Sequence, residues 1–242
     1  MIVLHRADLV LPLAAPPLPD GAVAVRDGTV AAVGPYGELA AAHPGARVRA
    51  WRGVLTPGLA HPHGRLLLEH AYHPDPREAD LLGTAPLTGA ALAALAPDEA
   101  RWGASARRGL QRMLAHGTTA LSGPFGRPSV RTAVARSGLA VLPPPAGTAP
   151  APPDTAGPGP GPAVPDGAVP DAAVPGFTVP GFDVLGGGLR AAAHGPLAPG
   201  VRADLAVFEV PADGDAEAAL RSGGAARCTA TVLAGRLVHR RR

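Results

Sequence analysis

Two histidines set the first question. His61-Pro62-His63 puts imidazoles at i and i+2. In an extended strand those positions point to one side, so the pair offers two nitrogen donors to one metal ion. Pro62 removes a ladder donor and suits a strand end. Glu69, His70 and His73 are close in sequence. A zinc site takes three or four ligands with ordered supporting groups, and the spacing of these three fits no defined ligand pattern. The competing reading of His61 and His63 is a loop with no ligand duty. His116 precedes Gly117 at the end of a helical stretch and reads as a helix cap. Asp204 follows a turn and reads as an acceptor for backbone amides. Asp183, in GFDVLGGG, is a carboxylate with only its identity to recommend it.

Composition narrows the chemistry. The 242 residues contain no lysine, and all 22 basic residues are arginine. Schiff-base chemistry and a carboxylated-lysine metal bridge are therefore excluded. Cys228 is the only cysteine, which rules out an intrachain disulfide and a cysteine zinc cluster. It sits in an alternating apolar stretch and reads as a small packed residue. The net charge is +3, and part of it lies in the tail from Arg236 to Arg242, RLVHRRR. That tail reads as a solvated chain end, and no basic stripe with interleaved aromatics accompanies it, so nucleic acid is not an expected partner. The apolar run at the N-terminus is too short for a membrane span, and no basic segment leads into a long apolar one. The sequence predicts a cytoplasmic protein with no membrane partner.

The elements that must position these residues come in three groups. Residues 2–54 alternate like strands, with Asp27-Gly28 as a hairpin turn and a short helix over 36–42. This part reads as a small antiparallel β unit. Residues 64–96 are mixed. A helix capped by Asp98 runs to His116-Gly117, a strand follows at 118–121, a second helix spans 128–137 and a third apolar strand spans 139–142. That rhythm predicts βαβ units on a parallel sheet. Residues 143–188 are dense in proline and glycine, cannot offset their ordering cost by burial, and read as a poorly ordered linker. After Gly188 strand character returns, at 203–208, 226–233 and 236–238.

Four stretches carry a resemblance to a known family. They are Asp27 to Gly34 (DGTVAAVG), Thr56-Pro57-Gly58-Leu59 with histidines after it, His116-Gly117-Thr118-Thr119, and Gly195 to Phe208 (GPLAPGVRADLAVF). In this order they resemble the amidohydrolase superfamily, most closely its imidazolonepropionase-like and aminodeoxyfutalosine-deaminase-like members. The closing ATVLAGRLV resembles the last hairpin of the same unit. The resemblance implies a mixed α/β fold. A small β-sandwich composite domain would form from 1–58 and 189–242, and 59–142 would be an incomplete βα barrel fragment.

The resemblance also implies a metal-dependent hydrolase of non-peptide C–N bonds, using zinc or iron on an unknown small-molecule substrate; the ligands this sequence offers are His61 and His63, two residues early for the family's register. The sequence departs from the family's ligand set. Counting from Pro57-Gly58, the family's His-x-His falls on His63 and Arg65, and a guanidinium has no lone pair to give a metal. Past Leu142 the only histidines are His194 and His239, both within or beside the β unit. Catalytic residues are therefore unassigned. The alternative is a non-catalytic protein of the same descent. It would act through a protein partner or as a homodimer that buries the apolar flank of the barrel fragment.

Overall fold

In the computed structural model of the chain, residues 1–144 and 180–241 are described. Strands β1 (Ile2–Val10), β2 (Leu18–Arg26) and β3 (Thr29–Pro35) form an antiparallel meander. Asp27 and Gly28 turn β2 into β3 at φ 50° and 82°, the paired positive values that a two-residue hairpin loop with right-handed strand twist requires. Helix α1 (Tyr36–Ala42) packs across these strands and carries the chain back to the start of β4 (Arg47–Pro57). The β4 strand lies beside β1 and runs parallel to it. The expected all-antiparallel unit is corrected here, because the excursion through α1 returns the chain to the same end of the sheet, as a parallel neighbour demands.

Gly58 begins a second sheet. Its strand β5 (Leu59–His61) is followed by α2 (Gly64–Glu69), α3 (Ala79–Leu82), α4 (Gly89–Leu95) and α5 (Glu99–Ala115). Then come β6 (Thr118–Ser122), α6 (Pro128–Ser137) and β7 (Ala140–Leu142). The three strands are parallel in the order β5-β6-β7, as strand–helix alternation dictates. The Asp98 carboxylate accepts from the Arg101 amide at 2.8 Å to start α5, and Gly117 at φ 80° ends it. Leu68, Leu110, Met113, Leu121 and Val130 form the core between sheet and helices.

The last third of the chain rejoins the first sheet. After α7 (Leu189–Ala192) come β8 (Leu205–Phe208), α8 (Ala216–Gly223), β9 (Cys228–Leu233) and β10 (Arg236–Arg240). One seven-stranded mixed sheet results, in the order β10-β9-β8-β4-β1-β2-β3. Val23, Val25 and Leu55 share one interior with Leu205, Val207 and Val232. Each such side chain contributes about 1.5–3 kcal/mol when fully buried, so the two ends of the chain hold each other. The sheet curls until its hairpin turns meet. Val30 and Gly200 exchange bonds with this bend, Val30 N–H to Val201 O and Gly200 N–H to Val30 O, both at 2.8 Å. The Ala203 and Gly235 amides, to Gly28 O and Ala203 O, close it. The β8 strand is short. It meets β4 only from Val54 to Pro57, so 47–52 have no strand on that side. Much of the basic tail is β10, at the sheet edge.

Of the Pro/Gly-rich stretch, 145–179 lie outside the described residues. Within 180–188, Leu185 and Gly188 are buried, while Gly181, Asp183, Gly186 and Gly187 are exposed. Leu185 is fully buried and joins Leu59, Leu189 and Phe208 in one core cluster. Cys228 lies in the same cluster, a packed thiol as expected. Among the described residues no helix is long and apolar enough to cross a membrane.

Gly58 is the corner between the sheets. Its amide donates to Asp204 O at 2.9 Å and its carbonyl accepts from the His194 amide at 2.8 Å. A Cβ there would overlap Thr119 Oγ1 and Cγ2, and Thr119 is itself buried. Gly58→Ala is expected to lose about 1–3 kcal/mol of stability through overpacking. Adding Thr119→Ala should recover part of the loss, because it removes the two nearest atoms. Urea melts of the four species give the coupling, and additive effects would discard this account of the corner.

Candidate functional site

His61 ends β5 and His63 caps α2, so a strand terminus and a helix start bring the two imidazoles to one cleft. The cleft, of about 380 Å³, is also lined by Pro180, Gly181, Asp183 and Ala192. Residues 180–192 thus form a wall of it. The rings stand edge to face with centroids 6.2 Å apart. His63 is exposed, and His61 is 1 % exposed.

The hydrogen bonds of His61 decide what it can do. The His63 amide donates to His61 Nδ1 at 3.2 Å. That nitrogen is therefore the unprotonated one, and the ring proton sits on Nε2. Nε2 lies 3.0 Å from the carbonyl oxygen of Gly181, which accepts it. Both nitrogens are used by backbone. Burial, the largest influence, holds the His61 pKa below its ordinary value, against the opposing bond from Gly181. His61 is thus a neutral, hydrogen-bonded histidine that ties β5 to the returning segment.

The neighbouring candidates have comparable structural partners. Glu69 is buried, and it accepts from the Arg127 amide at 2.7 Å and from Arg65 Nε at 3.1 Å. His73 Nε2 bonds Leu67 O at 2.8 Å, and burial pushes this imidazole down to about 4. His70 closes α2. His116 caps α5 through Nδ1 to Arg112 O at 2.7 Å, and its ring stacks on Phe182. Asp183 accepts from the Leu185 amide at 2.9 Å, and Asp204 accepts from the Ala234 amide at 2.8 Å. Among the described residues no group of three or more His, Cys, Asp or Glu side chains is placed to hold a metal ion. As they stand, these residues do not fit zinc or iron.

Residues 21–46, the β2–β3 hairpin, α1 and the turn after it, match the family model "Imidazolonepropionase-like composite domain, bacteria". The matched stretch includes the Asp27-Gly28 turn, and the structure joins it to β8–β10 from the other end of the chain. Solved structures similar to this chain include the ochratoxinase of A. niger, at 24% identity over 59% of this chain and 30% of that one, with a TM-score of 0.40. A guanine deaminase from Bradyrhizobium japonicum is similar at 22% identity over 58% and 34%, with a TM-score of 0.35. An adenosine deaminase from Xanthomonas campestris with bound zinc is similar at 22% identity over 58% and 33%, with a TM-score of 0.37. The chain spans about a third of the length of these structures. No curated protein matches it.

One set of residues escaped the sequence reading. Arg47, Arg49, Trp51 and Arg52 share β4, and the fold brings Arg240 over the Trp51 ring at 5.8 Å. The alternation of arginine and tryptophan in RVRAWR is the signal that could have found them.

Proposed function

We propose that this chain is a non-catalytic descendant of the amidohydrolase superfamily. On this reading both ends build a β composite domain over 1–58 and 189–242, and 59–142 is an incomplete βα barrel fragment packed against it. The observation that supports the reading is the engagement of His61. A zinc hydrolase needs an open metal with three or four protein ligands and a bound water. Here the first candidate ligand has both ring nitrogens committed, and the ligand register that follows Pro57-Gly58 runs onto Arg65. The chain would then act by binding, with a protein partner or a second copy against the exposed flank of β7, where Val141 is 54% exposed.

The other reading is a metal-dependent hydrolase of non-peptide C–N bonds acting on a small molecule, with zinc or iron on His61 and His63. It is favoured by the placement of both rings on one cleft at the end of a barrel-type strand. Elemental analysis of the purified full chain separates the two. The expected result is zinc and iron well below one ion per chain, unchanged in a His61→Ala/His63→Ala variant. Stoichiometric metal that the double variant loses would return the protein to the hydrolases.

A further inference from the structure

Because β8 stops at Phe208, opposite Val54, the first half of β4 faces open space where a strand would continue. The result is a cleft of about 340 Å³ whose lining includes Trp51, Arg52, Glu209, Arg240 and Arg241. That volume lies at the small end of ligand pockets, about 300–1,000 Å³. Arg241 is engaged, donating to Glu209 Oε2 at 3.3 Å and to Ala226 O at 3.1 Å. Among the described residues Arg52 and Arg240 have no carboxylate partner. Both are exposed, and Arg240 lies over the Trp51 ring.

Trp51 supplies a flat wall fixed from behind. Its Nε1 donates to His5 Nδ1 at 3.3 Å, and the two rings stack with centroids 6.1 Å apart. With Nδ1 accepting, the His5 proton sits on Nε2, and that buried atom has no acceptor. Arg49, the cross-strand neighbour of His5, likewise has a buried NH1 without an acceptor. These two do not line the cleft. They add unpaired N–H donors behind its Trp51 wall, while the one carboxylate of the lining, Glu209, is already bonded by Arg241; a net positive field concentrates anions.

We propose that this cleft binds the oxyanion group of a small molecule, a phosphate or carboxylate, between Arg52 and Arg240, with the planar part of that molecule against Trp51. Guanidinium groups match planar and tetrahedral oxyanions through paired N–H donors. The site belongs to the β domain and is independent of whether His61 and His63 ever hold a metal.

The test is calorimetric titration of the full chain with inorganic phosphate at fixed ionic strength, with chloride as the control. The expected result is saturable one-to-one binding. Arg52→Gln and Arg240→Gln should each weaken it about tenfold or more, the usual scale for a lost hydrogen bond to a charged group. Arg136→Gln, on the far helix α6, should bind like the parent. Both cleft positions are exposed, so folding is not at stake. Equal heats with chloride, unchanged affinity in both cleft variants, or an equal loss in Arg136→Gln would overturn the proposal. So would tight, steeply salt-dependent binding of a single-stranded oligonucleotide with no binding of phosphate, since that assigns the surface to nucleic acid.

Discussion

Lowering the pH from 7 to 4 is expected to cost the fold on the order of 3 kcal/mol for each of two buried histidines. Burial, with help from the Arg49 cation, pushes His5 from 6.5 down to about 4. Burial, together with Arg112 and Arg108 and against the bond to Leu67, does the same to His73. In the unfolded chain both imidazoles take up a proton near 6.5, whereas in the folded chain they resist it until about 4. The unfolded state therefore binds more protons between those values, and stability falls as pH falls through that window. Below about 4 both states are protonated and the loss from these groups levels off. His61, displaced in the same direction, adds to it. The window lies mostly above the range where carboxylates such as Glu78 and Glu99, held low by their hydrogen bonds, begin to matter. Two such losses approach the whole stability of an ordinary domain, about 5–15 kcal/mol. Urea titrations at pH 7, 6, 5 and 4 measure the effect, and a flat free energy from 7 to 5 would show that these rings are not held neutral.

Leu185→Ala is expected to destabilise the chain by about 2–5 kcal/mol, the range for emptying a closed apolar site. Leu185 is 0% exposed among Leu59, Leu189 and Phe208. The site is walled by a strand of each sheet, so it cannot collapse easily around the void. In a passive linker the same substitution would do nothing. Phe182, whose ring lies 5.4 Å from that of His116 and 5.7 Å from that of His73, serves as the second position, and Phe182→Ala should also cost stability. A change below about 0.5 kcal/mol for Leu185→Ala, the level of an ordinary surface substitution, would mean that the returning segment does not pack.

Much of the fold was legible because local signals agreed with the tertiary result. Asp27-Gly28 demands a two-residue turn wherever it lands, and Asp98 with Gly117 brackets a helix by capping alone. Alternating strands and helices over 118–142 could only give parallel pairing. The direction of β4 was not legible, since a strand's own residues do not reveal which neighbour it takes. The packing of 180–188 was hidden by its composition, where Leu185 is one apolar residue among glycines and its partners are far away in sequence. At the candidate site the histidines were easy to find, but their hydrogen bonds were not. That Gly181 would face His61 depends on how the chain returns, and no local pattern encodes it. The arginine cleft failed for a similar reason, since its two halves lie at opposite ends of the chain.

The shared sheet also sets a timetable for biogenesis. A ribosome releases β4 long before β8, so until β8 emerges the nascent chain shows a bare strand margin at Val54–Pro57 and an uncovered apolar surface behind it. Such margins are where partly made polypeptides stick to one another. Closure waits for β8 to emerge, so a product cut between β4 and β8 is expected to aggregate rather than to form a smaller working unit.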